Sequence, residues 1–203
     1  MREDAGITSL AELNGVRLNP GIKGSATETT TEAVFKVLGI APDFVRGSTT
    51  DVVDAIKDNR LAGYVKSGSP TALDSSTMDL STATKIEVLG LSAEEADKVC
   101  AAMPDVSVVE VKAGVAQGVP AYTTWSFGVG VAATGNMSDD TAYAILDAVM
   151  SDKTVQANAL ASVKGEDLAQ ITLEYGTVPL HPGALKWFEE HGYAVPAKLK
   201  PAK

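Results

Sequence analysis

Cysteine is nearly absent from this 203-residue chain. Cys100 stands alone in the sequence, so no disulfide can form within the chain and thiolates cannot build a metal site. We expect Cys100 to be a buried, inert thiol on a helix. Histidine is nearly as scarce, because His181 and His191 are the only two and lack partners at metal-ligand spacing. We therefore expect neither a metal nor another cofactor.

Basic charge is also in short supply, with 17 lysines and arginines against 26 acidic residues and a net charge of −9. Nucleic acids and anionic membranes need a basic face, so we expect no nucleic-acid partner. The longest apolar run, residues 127–133, is too short to span a bilayer. The first residues lack the apolar stretch of a secretory signal. Taken literally this predicts a cytoplasmic chain, whereas for a fragment it predicts nothing.

Catalytic patterns are missing as well. The sequence shows no nucleophile–histidine–carboxylate arrangement, no paired carboxylates and no cofactor motif. His181 precedes Pro182 at a predicted helix start, which favours a structural role for its imidazole. We expect that the protein is not an enzyme, although a fold alone does not exclude one.

What the sequence does have is an alternation of strands and helices, typical of an α/β domain with a mainly parallel sheet. The predicted strands are 16–19, 44–46, 61–65, 86–89 and 106–111, and the predicted helices are 26–38, 50–59 and 92–103. Beyond Pro120 the pattern changes. It predicts a strand over 125–131 and helices over 138–150 and 182–191, with a weaker helical stretch reaching about residue 170.

The first candidate site is the segment formed by Gly24, Ser25, Ala26 and Thr27, which follows a predicted strand and opens a helix. Free first-turn amides, two hydroxyls and the helix dipole suit a carboxylate or another small anion. The alternative is that Ser25 or Thr27 merely caps the helix. No Gly-Lys-Ser/Thr follows, so this is not a nucleotide-binding P-loop.

Two further segments could contribute to a ligand site. The loop of Tyr64, Lys66, Ser67, Gly68, Ser69 and Pro70 lies at the carboxyl end of a predicted parallel strand, where open α/β sheets bind ligands. An ordinary loop with a solvated lysine is the alternative. Thr124 and Trp125, near a predicted domain junction, either line a cleft or belong to the core.

A series of short segments along the chain resembles the solute receptors of tripartite (TRAP) transporters, in the branch called TAXI. The segments are Asp4–Gly6, Ser9–Gly15, Gly24–Glu28, Leu38–Ile40, 113–124, 138–143 and Val178–Ala184. The last is the most specific. The resemblance implies a type II periplasmic-binding-protein-like fold, with one complete α/β lobe over 7–121. It further implies that 122–203 form a hinge strand and the returning C-terminal segment of the other lobe.

By similarity, Ser25, Thr27 and the loop 67–70 would face an interlobe cleft, with Thr124 at the hinge. The resemblance implies a periplasmic receptor that binds a small carboxylate, such as an amino acid or a dicarboxylate. It would deliver this solute to TRAP membrane permease subunits. The family's usual Gly-Ser-Gly-Thr has Ala26 at its third position here, which adds a methyl group where a ligand could approach the backbone closely.

The opening segment of the first lobe and the leader peptide have no counterpart in the sequence, so we expect a truncated form or a fragment. Residues Phe127, Val129 and Val131 would then lack a covering sheet, and we expect self-association through this C-terminal segment. Two alternatives stay open. One is a cytoplasmic ligand-sensing domain of the same fold, against which the lack of a helix-turn-helix and a basic patch counts. The other is a truncated form without ligand binding.

Overall fold

The computed structural model describes residues 1–69, 72–128, 130–151 and 165–201. The chain forms two compact units, Met1–Ser126 and Phe127–Lys203. The division falls after residue 126, whereas the sequence analysis placed a lobe boundary after residue 121. The interpretation of the two units as lobes of a receptor stays a prediction.

Seven α-helices and five strands make up the regular structure of the described residues. The helices are α1 Ala26–Leu38, α2 Thr49–Lys57, α3 Ser75–Ala83, α4 Ala93–Ala102, α5 Asp139–Ser151, α6 Leu168–Tyr175 and α7 Pro182–Glu190. The strands are β1 Arg17–Asn19, β2 Asp43–Phe44, β3 Gly63–Tyr64, β4 Ser107–Val111 and β5 Tyr122–Ser126. Short 3₁₀ turns cover Glu3–Ala5, Leu10–Leu13 and Ala197–Leu199.

The first unit contains the predicted parallel sheet, in the order β2-β1-β3. Leu18 of the central strand lies opposite Phe44 on one side and Gly63 on the other. All three strands point the same way, so the loops that follow them emerge at one edge of the sheet. The mixed α/β architecture predicted from the sequence is confirmed.

Helix α1 has the bounds that the sequence predicts. Ser25 caps its first turn and Gly39 ends it in the left-handed conformation. Helix α3 was missed, because its serines and threonines have modest helix propensity and give no clear apolar face. The signal that could have found it is Asp74, whose carboxylate accepts hydrogen bonds from the amides of Ser76 and Thr77 as an N-cap.

Aromatic side chains form the centre of the first unit's core. The Phe35 ring is 1% exposed and stacks on Phe44 with 6.2 Å between centroids. Trp125 of β5 meets the same ring edge-on at 5.9 Å. Leu13, Leu18 and Val34 are buried in the same cluster. These contacts join α1, the parallel sheet and the β4–β5 hairpin into one core.

Two predicted strands are wrong. Instead of a strand over 86–89, there is an isolated antiparallel bridge between Ile86 and Arg2, because the segment beside it turns into a 3₁₀ helix at Glu3. The predicted strand over 125–131 is wrong as well, since β5 ends at Ser126, opposite Ser107 where its partner β4 begins. Strand structure ends where backbone pairing ends. Val129, part of that prediction, lies outside the described residues.

The expectation that Cys100 is buried is also wrong, because its side chain is exposed. It is carried on α4, whose buried face is formed by its neighbour Val99. On a helix, consecutive residues point about 100° apart, so a buried Val99 does not imply a buried Cys100.

The second unit packs α5, α6 and α7 around a small helical core. Ala169, Leu173, Trp187, Phe188 and Leu199 are its buried members. Gly183 permits the close approach of α7 to α5, because a Cβ there would lie 2.1 Å from the carbonyl oxygen of Asp139. Part of the weak helical stretch predicted before residue 170, residues 152–164, lies outside the described residues. Across the described ranges, no helix combines the length and hydropathy of a bilayer-crossing segment.

Candidate functional site

A cleft opens in the first unit where the loops leave the carboxyl ends of the parallel strands. Its volume is about 150 Å³. The residues that line it come from the segments after β1, β2 and β3 and from the first turns of α1 and α2. They are Asn19, Gly21, Ile22, Ser25, Thr27, Gly47, Thr49, Val52, Tyr64, Val65, Lys66 and Ser67. This is the edge of an open α/β sheet at which ligands bind.

The loop after β1 is held by Asn19, which is 3% exposed. Its amide nitrogen Nδ2 donates to the carbonyl of Val45 at 2.9 Å, and its Oδ1 accepts from the amide of Gly21 at 3.0 Å. Gly21 has φ +132°, and a Cβ there would lie 2.7 Å from the backbone nitrogen of Glu28. Glycine is required at this point, because the loop lies directly against the first turn of α1.

The first turn of α1 presents unpaired donors beside the cleft. Ser25 Oγ accepts from the Glu28 amide at 3.2 Å, so the capping alternative holds for this serine, which nevertheless lines the cleft. In the described residues, the amides of Ala26 and Thr27 and the Thr27 hydroxyl have no hydrogen-bond partner within the chain. Unpaired first-turn amides at the positive end of a helix dipole favour an anion.

Glu28 places a negative charge close to this helix start, and Arg46 compensates it. The Glu28 oxygen Oε2 accepts from the Gly24 amide at 2.6 Å, and the Glu28 oxygen Oε1 accepts from Arg46 Nε at 2.5 Å. Arg46 also pairs with Glu32. The Gly24 amide first, and the arginine second, hold the pKa of Glu28 below its usual value. Gly24 therefore fixes the loop through Glu28 and does not itself line the cleft.

On the opposite side, the segment after β3 contributes Tyr64, Lys66 and Ser67 to the same cleft. Burial raises the pKa of the half-buried Tyr64 to about 12, so its phenol stays protonated at neutral pH. Lys66 is exposed and makes no ion pair with any residue in the described part of the chain. It is the one charged side chain among the described lining residues.

Other predicted site residues lie elsewhere. Gly68 and Ser69 are not among the lining residues, and Ser69 forms an isolated bridge with Ala72. Pro70 lies outside the described residues. Ala26 is exposed and does not line the cleft.

Trp125 is partly buried and packs against the core, which agrees with the alternative interpretation of the sequence, and Thr124 lies beside it on β5. The antiparallel hairpin accounts for this placement, because it presents Trp125 to the Phe35 ring.

His181 has a structural role in the second unit. Its Nδ1 accepts from the Gly183 amide at 3.2 Å and caps α7, while Nε2 lies 3.1 Å from the Met137 carbonyl. A carbonyl can only accept, so Nε2 donates to Met137, and both ring nitrogens have partners within the second unit. Nδ1 also lies 3.7 Å from a carboxylate oxygen of Asp139.

Several lining residues were not predicted from the sequence, among them Asn19, Gly21, Gly47 and Thr49. A polar residue that ends a buried strand, as Asn19 does, is a usable signal for a site at that edge. Gly47 and Thr49 follow β2 and open α2, so the topology of the sheet accounts for them. No metal-binding group of three histidine, cysteine or acidic side chains occurs in the described ranges.

The first unit is an α/β unit with a cleft at the carboxyl edge of its parallel sheet, the place where open α/β sheets bind ligands. The chain belongs to the NMT1-like family, whose model matches residues 1–192. This family has a periplasmic-binding-protein-like fold, and membership supports a solute-binding role. Proteins of this kind are usually extracytoplasmic.

Proposed function

We propose that this protein is an extracytoplasmic receptor that binds a small carboxylate, such as an amino acid or a dicarboxylate, without transforming it. The observation that carries the proposal is the meeting of two separate segments at one cleft: the first turn of α1 and the segment after β3. The first supplies Thr27 with its unpaired amide and hydroxyl, and the second supplies Lys66. Donors and one cation around a small cavity complement a carboxylate.

The charges around the cleft support an anionic solute. Glu28 is already satisfied by Gly24 and Arg46. Glu28 and Glu32 share Arg46, and Lys66 is the one charged side chain among the described residues that line the cleft itself. The protein as a whole carries a net charge of −9, so this local reversal of sign favours the site over the rest of the surface.

We further propose that the receptor serves a TRAP-type transporter of the TAXI branch, acts in the periplasm and hands its solute to the membrane permease subunits. The order of short segments that resembles these receptors supports this finer assignment, and so does membership of the NMT1-like family. Self-association through the C-terminal segment remains part of the proposal. Val131, one of the residues expected to lack a covering sheet, is 94% exposed.

Calorimetry with succinate, glutarate and glutamate tests the binding proposal, with succinamide as an uncharged control. We expect saturable binding of at least one carboxylate and none of the diamide. Lys66→Gln should weaken carboxylate binding by roughly tenfold, because a charge-assisted contact is lost. Thr27→Val should weaken it less, since the backbone amide stays in place.

Helix α1 carries a matched control for each of the two variants. Lys36→Gln removes an exposed cation from the far end of α1, and Thr30→Val repeats the hydroxyl loss away from the cleft. Ser25 is avoided as a test because its hydroxyl also caps α1. Equal affinities in the Lys66, Thr27 and control variants would contradict the site, and no heat with any carboxylate would contradict the function.

A further inference from the structure

We infer that the solute carries an uncharged hydrogen-bond donor, a hydroxyl group, in addition to its carboxylate, and that Tyr64 recognises this hydroxyl by accepting its hydrogen bond. This inference rests on the proposed function of the cleft and narrows the class of ligand. It starts from a chain of three side chains, Tyr64, Thr77 and Asp74, which links the cleft to the cap of α3.

The direction of each hydrogen bond in this chain follows from its far end. Asp74 caps α3, with Oδ1 accepting from the amides of Ser76 and Thr77. Its other oxygen, Oδ2, lies 2.5 Å from Thr77 Oγ1. An ionised carboxylate only accepts, so the Thr77 hydroxyl donates its single proton to Asp74.

Thr77 then has no proton left for Tyr64. The phenol oxygen of Tyr64 lies 2.6 Å from Thr77 Oγ1, which is hydrogen-bond distance. Because the Thr77 hydroxyl is already a donor to Asp74, Tyr64 must donate to Thr77. The half-buried phenol retains its proton at neutral pH, so this assignment holds under ordinary conditions. What Tyr64 offers a ligand in the cleft is therefore a lone pair and not a proton.

The charge of the lining favours an uncharged donor over an ammonium group. Among the described lining residues there is no aspartate or glutamate, and Lys66 is present. A ligand ammonium would lie in a small cavity with one cation and no carboxylate to pair with it. A hydroxyl satisfies the Tyr64 lone pair without this cost. A ketone oxygen in its place would face that lone pair with its own and would be disfavoured.

Two matched sets of acids test the inference on the intact protein. One set is lactate, propionate, pyruvate and alanine, and the other is 2-hydroxyglutarate, glutarate, 2-oxoglutarate and glutamate. We expect the hydroxy acid of at least one set to bind about tenfold more tightly than the unsubstituted acid, with the oxo acid weakest. Tyr64→Phe should bring the hydroxy and unsubstituted acids to equal affinity while the unsubstituted acid still binds.

Thr77→Val is the decisive variant, because Thr77 acts on the ligand only through Tyr64 and is a positioning residue. Without Thr77 as acceptor, Tyr64 regains a free proton and can donate to a ketone oxygen. The oxo acid should therefore gain affinity relative to the hydroxy acid, a reversal that general destabilisation does not produce. Circular dichroism and the affinity for the unsubstituted acid verify that each variant is folded.

The outcomes separate the two proposals. If no acid of either set binds to the unaltered protein, the proposed function fails and this inference fails with it. Equal binding of hydroxy and unsubstituted acids overturns the inference alone, and so does tighter binding of alanine or glutamate than of the hydroxy acids. A Thr77→Val protein that keeps the original order of preference contradicts the assigned direction of the hydrogen bonds.

Discussion

In the first unit, the Trp125 edge packs against Phe35 at 5.9 Å between ring centroids, and in the second, Trp187 packs against Phe188 at 5.4 Å. The two aromatic pairs are alike, but their surroundings differ. Phe35 lies in an α/β core next to a sheet, and Phe188 lies in a core of three helices. The sheet has an edge from which loops diverge, and the cleft lies at that edge.

The two units also differ in whether their polar groups have hydrogen-bond partners. In the second unit, Trp187 Nε1 donates to Asp147 at 3.0 Å and the Tyr143 hydroxyl donates to Glu190 at 2.8 Å. These groups tie helices together. In the first unit, the amide and hydroxyl of Thr27 are left without a partner among the described residues, and they line a cavity. In the second unit, these polar groups form hydrogen bonds between packed helices. In the first unit, the loops diverge and leave the polar groups of Thr27 free to bind a ligand.

The largest effects should come from removing one aromatic ring from either core. Phe35→Ala and Phe188→Ala should each lower the free energy of unfolding by about 3–5 kcal/mol, because both rings are fully buried. The unfolding of each unit in urea can be followed by the fluorescence of its own tryptophan. Trp125→Phe leaves Trp187 to report on the second unit, and Trp187→Phe leaves Trp125 to report on the first. Phe35→Leu and Phe188→Leu, which keep most of the volume, should lose less. A loss below 1 kcal/mol in either alanine variant would contradict the assigned core.

The next largest effect should come from two glycines at close backbone approaches, one in each unit. Gly183→Ala would bring a Cβ against Asp139 in the second unit, and Gly21→Ala would bring one against Glu28 in the first. Each should cost about 1–3 kcal/mol through a forced backbone shift. Gly21→Ala should in addition weaken carboxylate binding, because the loop lines the cleft. Gly135→Ala, with no atom within 4 Å of its Cβ, is the control and should be nearly neutral in urea unfolding.

The smallest effect is a dependence on acid that involves Glu28 in the first unit. Its pKa in the folded protein lies below the ordinary value of 4.5, so the unfolded chain takes up this proton first as the pH falls. The stabilisation from Glu28 is complete above that value and is lost as the pH drops through the lowered pKa. Stability of Glu28→Gln should therefore fall less steeply below about pH 4.5 than that of the unaltered protein.

Glu32→Gln is the matched control for this measurement. Both carboxylates contact Arg46, but the Glu32 side chain is 39% exposed and that of Glu28 only 10%. Urea unfolding, followed through Trp125 as the sole tryptophan, measures how the free energy of unfolding of each variant depends on pH. The range from about pH 3 to about pH 6 brackets the ordinary glutamate pKa of about 4.3. Parallel acid profiles for Glu28→Gln and the unaltered protein would exclude the Glu28 contribution.

Local structure was predictable from the sequence wherever one short segment carries its own signal. Helix α1 has the predicted bounds 26–38, because Ser25 caps its first turn and Gly39 ends it in the left-handed conformation. Helix α4, predicted over 92–103, likewise opens at a capping box that Ser92 and Glu95 form. These signals are reliable because the hydrogen bonds involved join residues three or four positions apart, so distant parts of the chain do not alter them.

Strands were harder to predict, because a strand exists only where a second segment pairs with it. The alternation after Trp125 indicates a strand to residue 131, yet β5 ends at Ser126, because its partner begins at Ser107. The same dependence on partners explains Cys100, whose exposure is set by which face of α4 packs on the core.

The sequence by itself determined the α/β character of the first unit, the helix that begins after Ser25 and the donors at its start. Tertiary structure alone decided that Thr27 and Lys66 line one cleft, that Trp125 belongs to the core and that Tyr64 meets Thr77. The reason is physical. Caps and periodicity depend on neighbours in the chain, whereas a cleft forms where parallel strands bring together loops that lie tens of residues apart.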